Sequence, residues 1–108
     1  MLYLNYKKKG DKKMKIVINA CYGGFGLSDE AYHFFAEKLN DEWINEFDLR
    51  TNPLFIQKVE ENSYWVSNDY SKLRVVEIPD EATDWAIDEY DGLERIVYVL
   101  NGKINYVH

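Results

Sequence analysis

The sequence predicts a single α+β domain, and three observations carry that reading. A β-branched apolar run, Ile16-Val17-Ile18, stops abruptly at the glycines of Gly23-Gly24-Phe25-Gly26. Apolar residues at helical spacing then follow Ser28. The last third holds β-rich runs divided by two hairpin signals, Asp91-Gly92 and Asn101-Gly102. The expected architecture is an N-terminal strand, glycine loop and helix, then a second short helix. A C-terminal antiparallel β-meander follows, with the helices on one of its faces.

Each element has its own justification. Lys15–Ala20 reads as a buried strand, because consecutive β-branched residues suit a strand covered on both faces. Ser28 is a good helix N-cap, and Asp29 and Glu30 sit in the first turn, where the helix dipole favours negative charge. Ala31, Phe34, Phe35 and Leu39 mark one helical face. Asn40-Asp41 is a break, after which Trp43, Ile44 and Phe47 extend this helix or form another. Asn52-Pro53 starts the next helix, which is expected to end near Glu61-Asn62. Tyr64-Trp65-Val66 reads as a short strand, and Leu73–Ile78 as a longer one stopped by Pro79-Asp80. Trp85–Tyr90, Ile96–Leu100 and Ile104–Val107 complete the sheet.

The N-terminal residues differ from the rest. Residues 1–13 carry five lysines against Asp11, a net charge of +4, so the whole-chain charge of −6 leaves −10 on residues 14–108. The expectation is a basic, flexible extension at 1–13, in which Leu2, Tyr3, Leu4 and Tyr6 offer an opportunistic edge strand, and one domain at 14–108. Lys9–Met14 can also be encoded as AAA GGA GAT AAA AAA ATG, which places a purine-rich ribosome-binding sequence before an ATG. That reading makes Met14 the natural start.

Composition narrows the function classes. A chain of 108 residues with 46% hydrophobic and 16% aromatic content can bury one core. Its apolar runs are too short for a membrane span, so no membrane role is expected. A single cysteine, Cys21, fits a reducing, cytoplasmic setting. The acidic body disfavours direct nucleic-acid binding and suits a basic protein partner. Self-association stays open.

The glycine loop, Tyr22–Ser28, is the leading site candidate, since a strand–loop–helix turn can present N–H groups to an anion. Gly26-Leu27-Ser28 lacks the lysine of a Walker loop, and Asp29 stands where a dinucleotide fingerprint needs its third glycine. Tight-turn packing is therefore the plainer role for Gly23, Gly24 and Gly26. At least one of these is expected to have positive φ. Cys21 and His33 are the nucleophile–base pair on offer, but a small buried cysteine and a helix-surface histidine explain them better. Asp84, Asp88, Glu89, Asp91 and Glu94 form a carboxylate-rich stretch without the spacing of a calcium loop, expected to divide between sheet faces and water. No metal, cofactor or catalytic residue is assigned. Tyr22, Phe25, Tyr64, Trp65, Tyr70 and Tyr90 lie near turns and could anchor an interface or stack on a base, although core packing is expected to claim most of them.

Three segments together resemble a family of small, largely uncharacterised bacteriophage and prophage proteins. Lys15-Ile-Val-Ile-Asn-Ala-Cys-Tyr-Gly-Gly-Phe-Gly-Leu-Ser28 is similar to its N-terminal signature. Arg50-Thr-Asn-Pro-Leu54 with Val59-Glu60 resembles its middle segment, and Leu73–Asp80 with Trp85–Glu94 resembles its C-terminal one. After Glu94 the chain departs from the family pattern, with an apparent hairpin at Arg95–His108 in place of a short basic tail. The resemblance implies a phage-borne accessory protein, and the small size, acidic body, abundant aromatics and lack of a convincing catalytic set make a non-enzymatic one, in the host cytoplasm, the expectation. It would bind and modulate a host protein, in counter-defence of an anti-CRISPR kind or against a nucleotide-signalling system. The alternative is a small-ligand or nucleotide binder that uses the glycine loop with Ser28 and an aromatic from Trp65 or Tyr90.

Mass spectrometry of protein made from the native transcript is expected to find chains beginning at Met14 as the main species. An intact Met1 terminus as the main species would overturn the leader reading.

Overall fold

A two-stranded ladder sits between a helical layer and a three-stranded sheet in the computed structural model, which describes residues 13–108. The expected basic extension and its edge strand therefore lie outside the described residues, except for Lys13. Strand β1 (Lys13–Asn19) pairs antiparallel with β2 (Leu73–Pro79), with Val17 opposite Val75 and Ile16 opposite Val76. Helices α1 (Asp29–Lys38), α2 (Glu46–Leu49) and α3 (Pro53–Val66) lie between them in sequence. The remaining strands, β3 (Asp84–Tyr90), β4 (Leu93–Leu100) and β5 (Lys103–Val107), form the antiparallel meander in the order β3-β4-β5. The α+β class and the C-terminal meander are as the sequence predicts. Leu73–Pro79 belongs to the β1 ladder, because the first strand returns to pair with it.

Strand alternation gives β1 its two apolar faces. Val17 joins Leu73, Phe35, Phe55, Val59 and Leu49 in the helix-side core. Ile16 and Ile18 point the other way and pack with Val76, Ile78 and Ile96 under the meander. All three β1 residues are essentially inaccessible. This explains why the run is continuously apolar: both of its faces are covered.

The helices start where the sequence places them. Ser28 Oγ accepts the Ala31 N–H at 3.1 Å, and Asn52 Oδ1 accepts from Leu54 and Phe55 at 2.9 and 3.1 Å. Asn40 follows α1 with φ of 52°, the left-handed turn that ends it. Phe47 falls in the short separate helix α2, capped by Asn45. One expectation is corrected: Tyr64-Trp65-Val66 is helical, not a strand. The backbone does break at Asn62 (φ −158°, ψ 77°), but Asn62 Oδ1 accepts the Trp65 N–H at 3.1 Å and restarts the turn. A residue that both stops and recaps a helix looks from sequence like an end alone. Both hairpin turns have positive φ at each central residue, as a two-residue turn of this twist requires: Asp91 and Gly92, Asn101 and Gly102.

Between these layers lies a buried ion pair. Arg50, directly after α2, reaches Glu94 on β4 through two parallel contacts, Nη1–Oε1 at 2.7 Å and Nη2–Oε2 at 2.9 Å. Arg50 is 7% and Glu94 6% exposed. Arg50 Nη1 also donates to Val17 O at 3.2 Å, and its own carbonyl accepts the Val17 N–H at 2.9 Å. Glu94 Oε1 accepts the Asn19 N–H at 2.8 Å. The pair thereby caps the outer edge of β1, which β2 leaves open. At the surface, Lys15 Nζ meets Glu60 of α3 at 2.8 Å, and that bonded carboxylate holds the ammonium above its usual range.

Removing one member of the buried pair leaves the other charged and unpaired. Glu94→Gln and Arg50→Met are each expected to lower stability by about 3–5 kcal/mol in urea unfolding. Losses under about 1 kcal/mol for both variants would contradict this.

Candidate functional site

The glycine loop leaves β1 through Asn19, a fully buried amide that serves as a junction. Asn19 Nδ2 donates to Cys21 O and to Gly92 O, both at 2.7 Å, while its Oδ1 accepts the Lys72 N–H at 2.8 Å. One side chain so ties the loop to the β3–β4 turn and to the segment before β2. Gly23 has φ of 127° and Gly24 of 99°, as expected for at least one of the three loop glycines. The Gly23 N–H donates to Asp91 O at 3.2 Å. Gly92 packs so closely on the Gly23-Gly24 backbone that a Cβ there would collide with it. A Cβ on Gly23 would strike the Tyr70 carbonyl.

Several of the candidate binding residues are engaged inside the protein. The Phe25 ring lies 3.9 Å from the Arg50 guanidinium carbon and packs on Phe55. The buried ion pair is thus roofed by a loop aromatic. Gly26 is buried against Asn68, and its carbonyl accepts from Ser71 Oγ at 2.7 Å. Ser28 caps α1, and its hydroxyl donates to Trp65 O at 2.7 Å. Trp65 is half-buried, edge-on to Phe34, with its indole N–H donating to Glu30 at 3.0 Å.

The tyrosines behave differently. Tyr22 is 63%, Tyr70 73% and Tyr90 77% exposed, and Tyr64 is exposed as well. The expectation that core packing claims most of the six turn-side aromatics is therefore corrected: only Phe25 and Trp65 pack inward. A hydroxyl-bearing ring can stay at a polar surface where phenylalanine would not. Tyr22 precedes Gly23, the Tyr70 backbone rests on Gly23, and Tyr90 immediately precedes the Asp91-Gly92 turn docked on the loop. Three exposed tyrosines thus stand around one fixed loop.

A groove of about 1000 Å³ opens beside this loop, along Ser28, Tyr64, Trp65 and Asn68. It brings Lys72 together with Asp29, Glu30 and Asp69. Such a surface repels phosphate more than it attracts it. The Cys21 thiol contacts Asn19 Oδ1 at 3.5 Å and Tyr70 O at 3.4 Å, while His33 is exposed on α1. Among the described residues, no group of three His, Cys, Asp or Glu side chains is placed to hold a metal ion, and no helix is long and apolar enough to cross a membrane.

The carboxylate stretch is also resolved residue by residue. Glu94 is the buried partner of Arg50, Asp88 bonds Arg95 at 2.7 Å, and Glu89 accepts the Gly92 N–H at 2.6 Å. The expectation that these side chains divide between faces and water is corrected at Glu94, whose burial follows from an arginine distant in sequence. No family model, curated protein or solved structure matches the chain.

The packing ranks the glycines. Gly24→Ala adds a side chain into open space at positive φ and is expected to cost about 1–2 kcal/mol. Gly23→Ala and Gly92→Ala add a backbone collision and should melt lower than Gly24→Ala. Gly26→Ala meets only the Asn68 side-chain amide, whose displacement breaks the bond its Oδ1 accepts from the Tyr70 N–H at 2.8 Å, so it should melt above Gly23→Ala and Gly92→Ala, where the collision is with backbone. Equal melting temperatures for Gly92→Ala and the wild type would refute this packing.

Proposed function

We propose that this chain is a non-enzymatic accessory protein of phage or prophage origin that binds and modulates a host protein through the surface around its glycine loop. The observation that carries this reading is the rim of Tyr22, Tyr70 and Tyr90, exposed but mounted on a backbone fixed by Asn19, Gly23 and Gly92. Tyrosine supplies large contact area at low entropic cost, and a fixed backbone reduces the ordering that association requires. The −10 charge on residues 14–108 suits a basic partner surface. A role in counter-defence, against a CRISPR effector or a nucleotide-signalling system, rests on the resemblance of the three segments and is part of this proposal.

The alternative, a nucleotide site at the loop, has less support. The Gly23 N–H is taken by Asp91 O, the α1 N-terminus carries Asp29 and Glu30, and Trp65 is bonded to Glu30. Native mass spectrometry separates the two readings: a co-purified nucleotide favours the alternative.

Tyr22→Ala and Tyr90→Ala are expected to weaken partner recovery in affinity purification from infected-host lysate by tenfold or more, with melting temperatures near wild type, because both rings are exposed. Unchanged recovery with both variants, or no partner with wild type alongside unaltered phage sensitivity, would contradict the proposal.

A further inference from the structure

The segment running from α1 into α2 leaves large aromatic side chains exposed to water. Trp43 is 84% exposed and Phe47 56% exposed. A tryptophan left in water forgoes more burial than any other side chain. The backbone on both sides of it is nonetheless pinned. The Asp41 N–H donates to Ala36 O at 3.0 Å, and Asp41 Oδ1 accepts the Trp43 N–H at 3.0 Å. The Tyr32 hydroxyl donates to Glu42 O at 3.1 Å. Asn45 Oδ1 accepts from Phe47 and Asp48 at 2.9 and 3.2 Å. The Phe47 ring lies flat on Trp85, with centroids 5.7 Å apart and planes 8° apart. An indole is thus held outward on a tied-down loop that leads into α2, whose Phe47 ring stacks on Trp85. The loop follows the last turn of α1, whereas Ser28 of the glycine-loop segment caps its first.

Charge selects what can cover this surface. Asp41, Glu42, Glu46 and Asp48 are all exposed, and residues 40–49 contain no lysine or arginine, a net of −4. A second copy across a two-fold axis would set −4 against −4. Nucleic-acid phosphates and anionic lipid headgroups are repelled for the same reason. A protein surface with an apolar cleft bordered by lysine or arginine satisfies both the rings and the carboxylates. We infer that exposed Trp43, with Phe47 four residues on and these four exposed acids in the same ten-residue segment, forms a second docking anchor that inserts into a basic-rimmed apolar cleft of a protein partner. The inference stands on this loop alone, apart from the tyrosine rim.

The test is selection of a displayed random 16-residue peptide library against the full chain, followed by affinity measurement on the enriched peptides. Enrichment of peptides combining lysine or arginine with leucine, isoleucine or phenylalanine is expected. Trp43→Ala should weaken their binding tenfold or more while leaving the melting temperature unchanged. The double variant Glu42→Gln/Glu46→Gln should weaken it several-fold, and so should raising the salt from about 0.1 to about 0.5 M. Tyr22→Ala should leave it unchanged, so a failure of the tyrosine rim is read separately. Four outcomes would overturn the inference. These are no Trp43-dependent peptides, enrichment of acidic ones, a dimer in sedimentation that Trp43→Ala abolishes, or Trp43-dependent binding of a labelled single-stranded oligonucleotide.

Discussion

The buried pairing of Arg50 with Glu94 is the constraint on which the rest of the structure depends. The β1–β2 ladder has only two strands, and a ladder that narrow leaves the outer edge of β1 facing protein rather than water. Val17 and Asn19 point N–H groups to that side. Arg50 supplies a carbonyl to the first, and Glu94 a carboxylate oxygen to the second. The guanidinium then joins the two contributors and also accepts the role of donor to Val17 O. A helix connection, a ladder strand and a meander strand are fixed at one point. Buried ion pairs add little net stability over well-packed apolar groups, but this one is costly to break once formed, because either partner alone is a buried uncompensated charge.

The glycine loop inherits its shape from the same point. Phe25 covers the Arg50 guanidinium, and Asn19, whose N–H bonds Glu94, holds Cys21, Gly92 and Lys72 through its side chain. The loop glycines serve close backbone approach, with Gly23 and Gly24 against Gly92. A surface built this way combines closely packed, hydrogen-bonded main chain with exposed rings. Three segments far apart in sequence contribute one residue each to the network: Asn19, Arg50 and Glu94.

Local features were legible in the sequence, and long-range ones were not. Ser28, Asn52-Pro53, Asp91-Gly92 and Asn101-Gly102 act through their nearest neighbours, so caps and turns stand where the sequence puts them. The Ile16-Val17-Ile18 run reports double-sided burial because both faces must be apolar. Asn62 misleads because its side chain recaps the helix its backbone interrupts. Glu94 looks like one more carboxylate in an acidic stretch, since its partner lies 44 residues away. The exposure of Tyr22, Tyr70 and Tyr90 is equally a product of tertiary packing. So is that of Trp43 and Phe47, whose spacing in the sequence is that of a buried helical face. The acids around Trp43 were the one available signal, because a buried face seldom alternates with so many charges.

Native-state hydrogen exchange tests the central claim most directly, since it reads the opening of individual bonds without altering any residue. The amides of Val17, Asn19 and Lys72 bond Arg50 O, Glu94 Oε1 and Asn19 Oδ1, and none of these bonds belongs to the β1–β2 ladder. If the buried network organises the domain, these amides exchange only through global unfolding, with the same free energy as Ile16 and Val76 in the ladder. Exchange of Asn19 and Lys72 through a low-energy local opening, while Ile16 and Val76 stay protected, would contradict the account.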